Sequence, residues 1–260
     1  MRELVATRAG AEADDDARER ALRAAGVAVH KFALIRIEDP VDADAARRTL
    51  QRLHEYDLAL PVSPHAVRGA VALLDRPWPA RCAIGVVGPG SAAAVRAALA
   101  ARGDALPALI QAPAQHADSE GLWPLLLQLR PQGWRGARVL VLRGGPGREW
   151  LSDQLRAAGA QLDQLDVYRR AAPPADAATL QRLHALLRLD AAWLLGAAEA
   201  ARHLAALLGA EGASPVDTLR DRTALATHPR IAEAARRCGF GRVATCAPAV
   251  GDIAAALRAL

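Results

Sequence analysis

The residues of this chain that could do chemistry collect at turns following short apolar runs. Ser63 follows Leu58–Val62 but lacks the Gly-x-Ser-x-Gly surroundings of a hydrolase nucleophile. It reads as a helix cap that also stands open to a ligand. Gly88-Pro89-Gly90-Ser91-Ala92 superficially fits a dinucleotide fingerprint. The acidic residue that should follow about 20 positions on is missing, because Asp104 comes too soon. A tight turn exposing backbone N–H groups at a helix start is the plainer account. Arg143-Gly144-Gly145-Pro146-Gly147-Arg148 lacks the Gly-Lys-Ser/Thr ending of a P-loop. It is either a turn needing unusual φ/ψ or a set of amides that, with Arg143, receives carboxylates or phosphates. His228-Pro229-Arg230 is either a structural histidine beside a helix-starting proline or an anion contact through Arg230 and the helix amides. Tyr168, one of two tyrosines, ends an extended segment and is either packed or turned towards a cleft.

Several chemistries are disfavoured. Lys31 is the only lysine, which leaves little room for Schiff-base or Walker-type lysine roles. His54, His184 and His203 fall on amphipathic helix faces, and no His/Cys/Asp/Glu set has metal-ligand spacing, so no metal is expected. No carboxylate pair stands out as an acid–base couple. The net charge of +5 is spread along the chain and aromatics make up 3%. That suits a small polyanion better than nucleic acid. Cys82, Cys238 and Cys246 show no redox or metal spacing, and the start, with Asp14, Asp15 and Asp16, is unlike a secretory signal. With no run of roughly 18 apolar residues, no membrane association is expected and the setting reads as cytoplasmic.

The elements that must position these turns occur twice. Leu-Arg-Ala-Ala-Gly stands at Leu22–Gly26 and at Leu155–Gly159; Thr-Leu-Gln-Arg-Leu-His stands at Thr49–His54 and at Thr179–His184. Around these anchors the order recurs. An apolar run ending in Arg (Leu4–Arg8; Val139–Arg143) leads through a helix to the glycine stop and a second extended segment (Val27–Ile37; Gln161–Arg169). Further runs begin after Asp57 and Asp190, each leading into an amphipathic helix. Alternating apolar runs and 3.6-period helices predict two similar doubly wound α/β domains with parallel sheets, arisen by internal duplication. Ligands bind such sheets beyond the strands' carboxyl ends. These are the loops Thr7–Gly10, Val62–His65, Val87–Ser91, Arg143–Gly147, Gly196–Ala198 and Thr227–Ile231, which are expected to line a cleft between the halves.

Taken in order, these residues resemble the uroporphyrinogen-III synthase family over nearly the whole chain. Leu4-Val-Ala-Thr-Arg8 looks like its opening, and Phe32-Ala-Leu-Ile-Arg-Ile37 like its first crossing strand. Ser63-Pro-His-Ala-Val67 is similar to Thr-Ser-Pro-Asn-Ala-Val, and Val87-Gly-Pro-Gly-Ser-Ala92 to Val-Gly-x-x-Thr-Ala. Asp118-Ser-Glu-Gly-Leu122, Val139–Glu149 through to Val167-Tyr-Arg169, and His228–Ala235 with Gly239-Phe240 complete the likeness.

The resemblance implies residues 1–36 plus 171–260 as one domain and 37–170 as an inserted second, joined by a two-stranded linker for which the equivalent segments Val27–Ile37 and Gln161–Arg169 are the expected pair. It implies a cofactor-free lyase reaction, closing the linear tetrapyrrole hydroxymethylbilane to uroporphyrinogen III with inversion of ring D and loss of water, in haem biosynthesis. Tyr168 matches a family tyrosine thought to lie near the reacting end. Arg8, Ser63, Ser91, Ser119, Arg143, Gly144, Gly145, Gly196, Ala197, His228 and Arg230 match the substrate-facing loops. The implied partner is the eight-carboxylate substrate, with functional coupling to the hydroxymethylbilane synthase that supplies it and a monomeric protein. The chain departs from the pattern at Val62, where the family has threonine, and at Ser91, which keeps a hydroxyl. It departs also at Gly196-Ala197, where many members carry hydroxyls, and at Ile231, where some have threonine. Backbone amides survive such changes; side-chain hydrogen bonds do not. Two other readings stay open: a nucleotide-dependent enzyme on the same scaffold, and a non-catalytic binder of a tetrapyrrole or other polyanion.

Overall fold

The computed structural model describes residues 2–9 and 17–260, so Gly10 of the first loop and Asp14, Asp15 and Asp16 lie outside it. The chain begins β1 (Arg2–Ala6), α1 (Ala17–Ala24), β2 (Val27–Lys31) and β3 (Arg36–Glu38). It continues α2 (Ala43–Gln51), β4 (Leu58–Pro61), α3 (Pro64–Leu73), β5 (Ala83–Val86), α4 (Pro89–Arg102), β6 (Leu109–Gln111) and α5 (Ser119–Leu129). Next come β7 (Arg138–Arg143), α6 (Trp150–Ala157), β8 (Gln161–Asp166) and β9 (Arg169–Ala171). The last part holds α7 (Ala177–Leu187), β10 (Ala191–Leu195), α8 (Ala198–Ala210) and α9 (Pro215–Leu219). It closes with β11 (Thr223–Ala226), α10 (Pro229–Arg237), β12 (Arg242–Thr245) and α11 (Val250–Ala259).

Two compact units result: residues 1–37 with 171–260, and residues 38–170. The first holds a sheet ordered β12-β11-β10-β1-β2 and the second one ordered β6-β5-β4-β7-β8, with parallel pairings throughout. The two orders match strand for strand, with β1 answering to β7 and β10 to β4. Central strands such as β4, β5 and β10 are buried at every position, as parallel sheets covered on both faces require. In the first unit the period-2 alternation sends Leu4, Ala192 and Leu194 to one core with Leu22, Ile253 and Leu257. Val5, Trp193 and Leu195 go to the other, with Leu183, Leu204 and Phe240. In the second unit Leu58, Leu60, Val139 and Val141 meet Leu122, Leu126, Leu151 and Leu155. Each such leucine contributes about 1.5–3 kcal/mol of burial. The duplicate glycine stops act alike, Gly26 at φ +81° and Gly159 at φ +92°, the left-handed conformation that ends a helix cheaply only at glycine.

One expectation needs correction. Val27–Ile37 and Gln161–Arg169 do not pair as continuous segments. β2 and β8 join the two large sheets, and only β3 and β9 pair as a separate two-stranded sheet. Between β2 and β3 the chain keeps Phe32, Leu34 and Ile35 buried without forming strand. Phe32 N–H donates to Ala6 O at 2.9 Å and Leu34 N–H to Thr7 O at 3.3 Å, so backbone bonding continues while the chain turns away. An apolar run signals burial, and periodicity alone does not separate a strand from a buried turn.

Candidate active site

In the inserted unit the carboxyl ends of β4, β5 and β7, with Tyr168 from the chain beyond β8, surround a pocket of about 400 Å³. Ser63, Ser119, Arg143, Gly144, Gly145 and Tyr168 all line it. Tyr168 sits two residues past β8. Val167 N–H donates to Arg143 O at 2.8 Å, which hangs the exit of β8 on the end of β7. Two glycines let that exit come close. A Cβ on Gly69, inside α3, would lie 2.4 Å from Val167 O; one on Gly144 would lie 2.3 Å from Cε2 and Cζ of Tyr168. The ring is 8% exposed, so its body is packed while its hydroxyl reaches a partner.

That partner is Ser63 Oγ, 3.3 Å from Tyr168 Oη. Ser63 is also the N-cap of α3, accepting from Ala66 N–H at 3.1 Å, with Pro64 at the first helical position. One lone pair of Oγ is thus occupied, and the hydroxyl proton is available to Tyr168 Oη. Either hydroxyl can donate in this contact; with Ser63 donating, the phenolic O–H is left to face the pocket that Tyr168 lines. The His65 ring lies 5.9 Å from the Tyr168 ring, and its Nδ1 is 3.0 Å from Arg68 Nη2.

The glycine turn after β7 joins the two accounts of that segment. Gly145 takes φ +105°, the unusual conformation, and its N–H donates to Asp166 Oδ1 at 3.1 Å. Arg143 donates from Nε to the same oxygen at 3.2 Å and from Nη1 to Glu149 Oε1 at 3.0 Å. Glu149 Oε2 accepts from Gln164 at 2.7 Å, and Arg148 pairs with Glu120. Arg143, Arg148 and the Gly145 amide are therefore engaged by the protein's own carboxylates.

The remaining candidates are placed as follows. Ser119 opens α5 behind its cap Asp118, which accepts from Gly121 N–H at 2.8 Å. Ser91 is buried in the first turn of α4 and does not line the pocket. Its burial follows from α4 placing that side inward. In the other unit Arg8 is exposed beyond β1, next to Thr7, whose hydroxyl donates to Leu194 O at 2.7 Å. Gly196 precedes Ala197, the N-cap of α8, which offers no side-chain acceptor. His228 caps α10, its Nδ1 accepting from Arg230 N–H at 3.1 Å, with Pro229 following; this is the structural reading. Arg230 is exposed. Lys31 forms an ion pair with Glu19 at 3.0 Å. Among the described residues no group of three or more His, Cys, Asp or Glu side chains is placed to hold a metal.

Asp166, Glu149 and His65 escaped sequence reasoning. The signal for Asp166 is the pairing of Arg143 with Asp166 in the β7–β8 register, which a sequence does not display. The duplicate makes a useful contrast. Phe32 donates to Ala6 O as Val167 does to Arg143 O, so Ala33 holds in the first unit the place of Tyr168 in the second.

Fold and pocket define a duplicated, doubly wound α/β protein with a largely buried tyrosine lining a pocket at the carboxyl ends of one sheet. The family model described as Uroporphyrinogen-III synthase HemD matches residues 16–253. A uroporphyrinogen-III synthase of Salmonella typhimurium is 33% identical over 161 residues, 60% of this chain and 61% of that protein. One of Escherichia coli is 32% identical over 155 residues, 58% of each. The chain thus matches about three fifths of the length of these curated relatives. A uroporphyrinogen-III synthetase structure from Helicobacter pylori superposes with a TM-score of 0.58 at 14% identity, covering 100% of this chain and 98% of that one. A mutant uroporphyrinogen III synthase from Thermus thermophilus gives 0.52 at 20% identity, covering 100% and 98%. At these identities the likeness speaks for the fold. The chain belongs to the uroporphyrinogen-III synthase family.

Proposed function

We propose that this protein converts hydroxymethylbilane to uroporphyrinogen III, without a cofactor. The observation that carries the reading is the Tyr168–Ser63 hydroxyl pair in a glycine-floored pocket of a chain of this family. Tyr168 Oη donates its proton to the hydroxymethyl oxygen as the C–O bond breaks, and water leaves. Ser63 steadies the phenolic oxygen. The azafulvene formed is attacked through the substituted position of ring D, and the spiro intermediate fragments and recloses with ring D inverted. The proton that ring D sheds on reclosure returns to the Tyr168 phenolate, which restores both the aromatic pyrrole and the acid, so the reaction loses one water overall. Unassisted closure gives the type I isomer, so the protein's contribution is chiefly orientation, which needs no paired acid and base.

The substrate's carboxylates suit a chain of net charge +5. Arg8, Arg230 and the N-terminal amides of α8 are the groups of the first unit proposed to receive them. Three free thiols suit a reducing cytoplasm, and the unstable substrate suits close functional coupling to the enzyme that makes it. Among the described residues no helix is long and apolar enough to cross a membrane.

The test is to supply freshly generated hydroxymethylbilane and separate the product isomers by chromatography. Type III above the uncatalysed background is expected, and type I alone would remove the reading. Tyr168→Phe should slow type III formation; an unchanged rate and yield would remove the tyrosine from the mechanism.

A further inference from the structure

Asp166 is the last residue of β8 and lies in register opposite Arg143, the last residue of β7. Its Oδ1 alone takes two donors, Arg143 Nε at 3.2 Å and Gly145 N–H at 3.1 Å. Bonds to a carboxylate from a cation and an amide are the stronger kind. They anchor a turn whose glycines have the most backbone freedom of any residue. Gly144, between those two donors, is the floor under the Tyr168 ring, with no room for even a methyl group. The same strand exit carries Tyr168 itself, hung on Arg143 through Val167 N–H. Ring and floor are thus tied to each other at Asp166 and Arg143, and Glu149 closes the bracket by holding Arg143 and Gln164 together.

We propose that Asp166 is a positioning residue for Tyr168: it sets the height of the Gly144–Gly145 turn, and so the place of the phenolic hydroxyl beside Ser63. The role rests on the reaction proposed above. Asp166 does not line the pocket and touches no reacting atom. Asparagine keeps an oxygen for the Gly145 amide, whereas alanine releases the turn.

The chain has two tyrosines, Tyr56 and Tyr168, so ring-labelled tyrosine gives two resolvable sets of NMR signals. In Asp166→Ala the Tyr168 ring signals should move or broaden while those of Tyr56 stay. The rate of type III formation should fall on the order of tenfold or more, in kcat rather than KM. Asp166→Asn should recover most of both. Tyr168 signals superimposable on those of the wild type would overturn the proposal. A lowered KM with kcat unchanged would also overturn it, because Asp166 would then be occupying a place that a substrate carboxylate takes. If the alanine variant does not fold, Asp166→Ser, too short to reach the Gly145 amide, takes its place with the same two outcomes. If the wild type itself yields type I alone, the reaction falls, and the NMR comparison still decides the positioning role.

Discussion

Gly144→Ala tests the seat of Tyr168 directly. The added methyl would lie 2.3 Å from Cε2 and Cζ and 2.6 Å from Cδ2 of the ring. Carbon atoms rest about 3.5–4.0 Å apart, so ring or turn must yield by about 1 Å or more. The Ser63–Tyr168 contact at 3.3 Å has no such slack before it passes hydrogen-bond range. Overpacking of this kind costs about 1–3 kcal/mol, and a displacement of that size near reacting atoms can cost on the order of a hundredfold in rate. Initial rates and isomer ratios with fresh hydroxymethylbilane, together with calorimetric melting, measure both effects. Gly209→Ala, in α8, is the control. Its Cβ meets nothing within 4 Å, and the substitution should stabilise by about 0.4–1 kcal/mol. If Gly144→Ala melted like the wild type and kept its full rate and type III fraction, the account of a ring seated on a bare backbone would be wrong.

Other expectations concern stability and reactivity. Arg52 first, then Arg138, hold the Glu55 carboxyl down at about 2 from its ordinary 4.5. Its stabilising contribution is therefore complete above pH 4.5 and lost as pH falls towards 2; denaturant melts of wild type and Glu55→Gln should converge over that window. Burial pushes the Cys82 thiol up to about 12, so alkylation at mildly alkaline pH should label it only after unfolding. His228→Ala should cost about 0.5–2 kcal/mol by uncapping α10 and His228→Asn much less, as urea titration would report.

The glycine stops, the two copies of Thr-Leu-Gln-Arg-Leu-His and the alternation of runs and helices made two parallel α/β sheets legible, because each is a local property. Ser63 as cap and Gly88-Pro89 as helix start were legible for the same reason. The bend at Phe32–Ile35 was not, since apolar residues serve a buried turn and a strand alike. The inward side of Ser91 depends on the rotation of α4, and the engagement of Arg143 by Asp166 and Glu149 on the β7–β8 register. Those are facts of tertiary pairing, and no short window of sequence contains them.

The sheet orders also govern how this protein comes into being. Glu3 is in register with Ala191 on one side and Ala28 on the other, so β1 and β2 leave the ribosome long before β10 exists. Residues 38–170 form a contiguous unit and can complete their sheet during that wait. The first unit is then closed by one pairing of very long sequence separation, β1 with β10, the slow kind. Until β10 arrives, β1 can pair only with β2, and a truncation before residue 191 leaves its other edge permanently open.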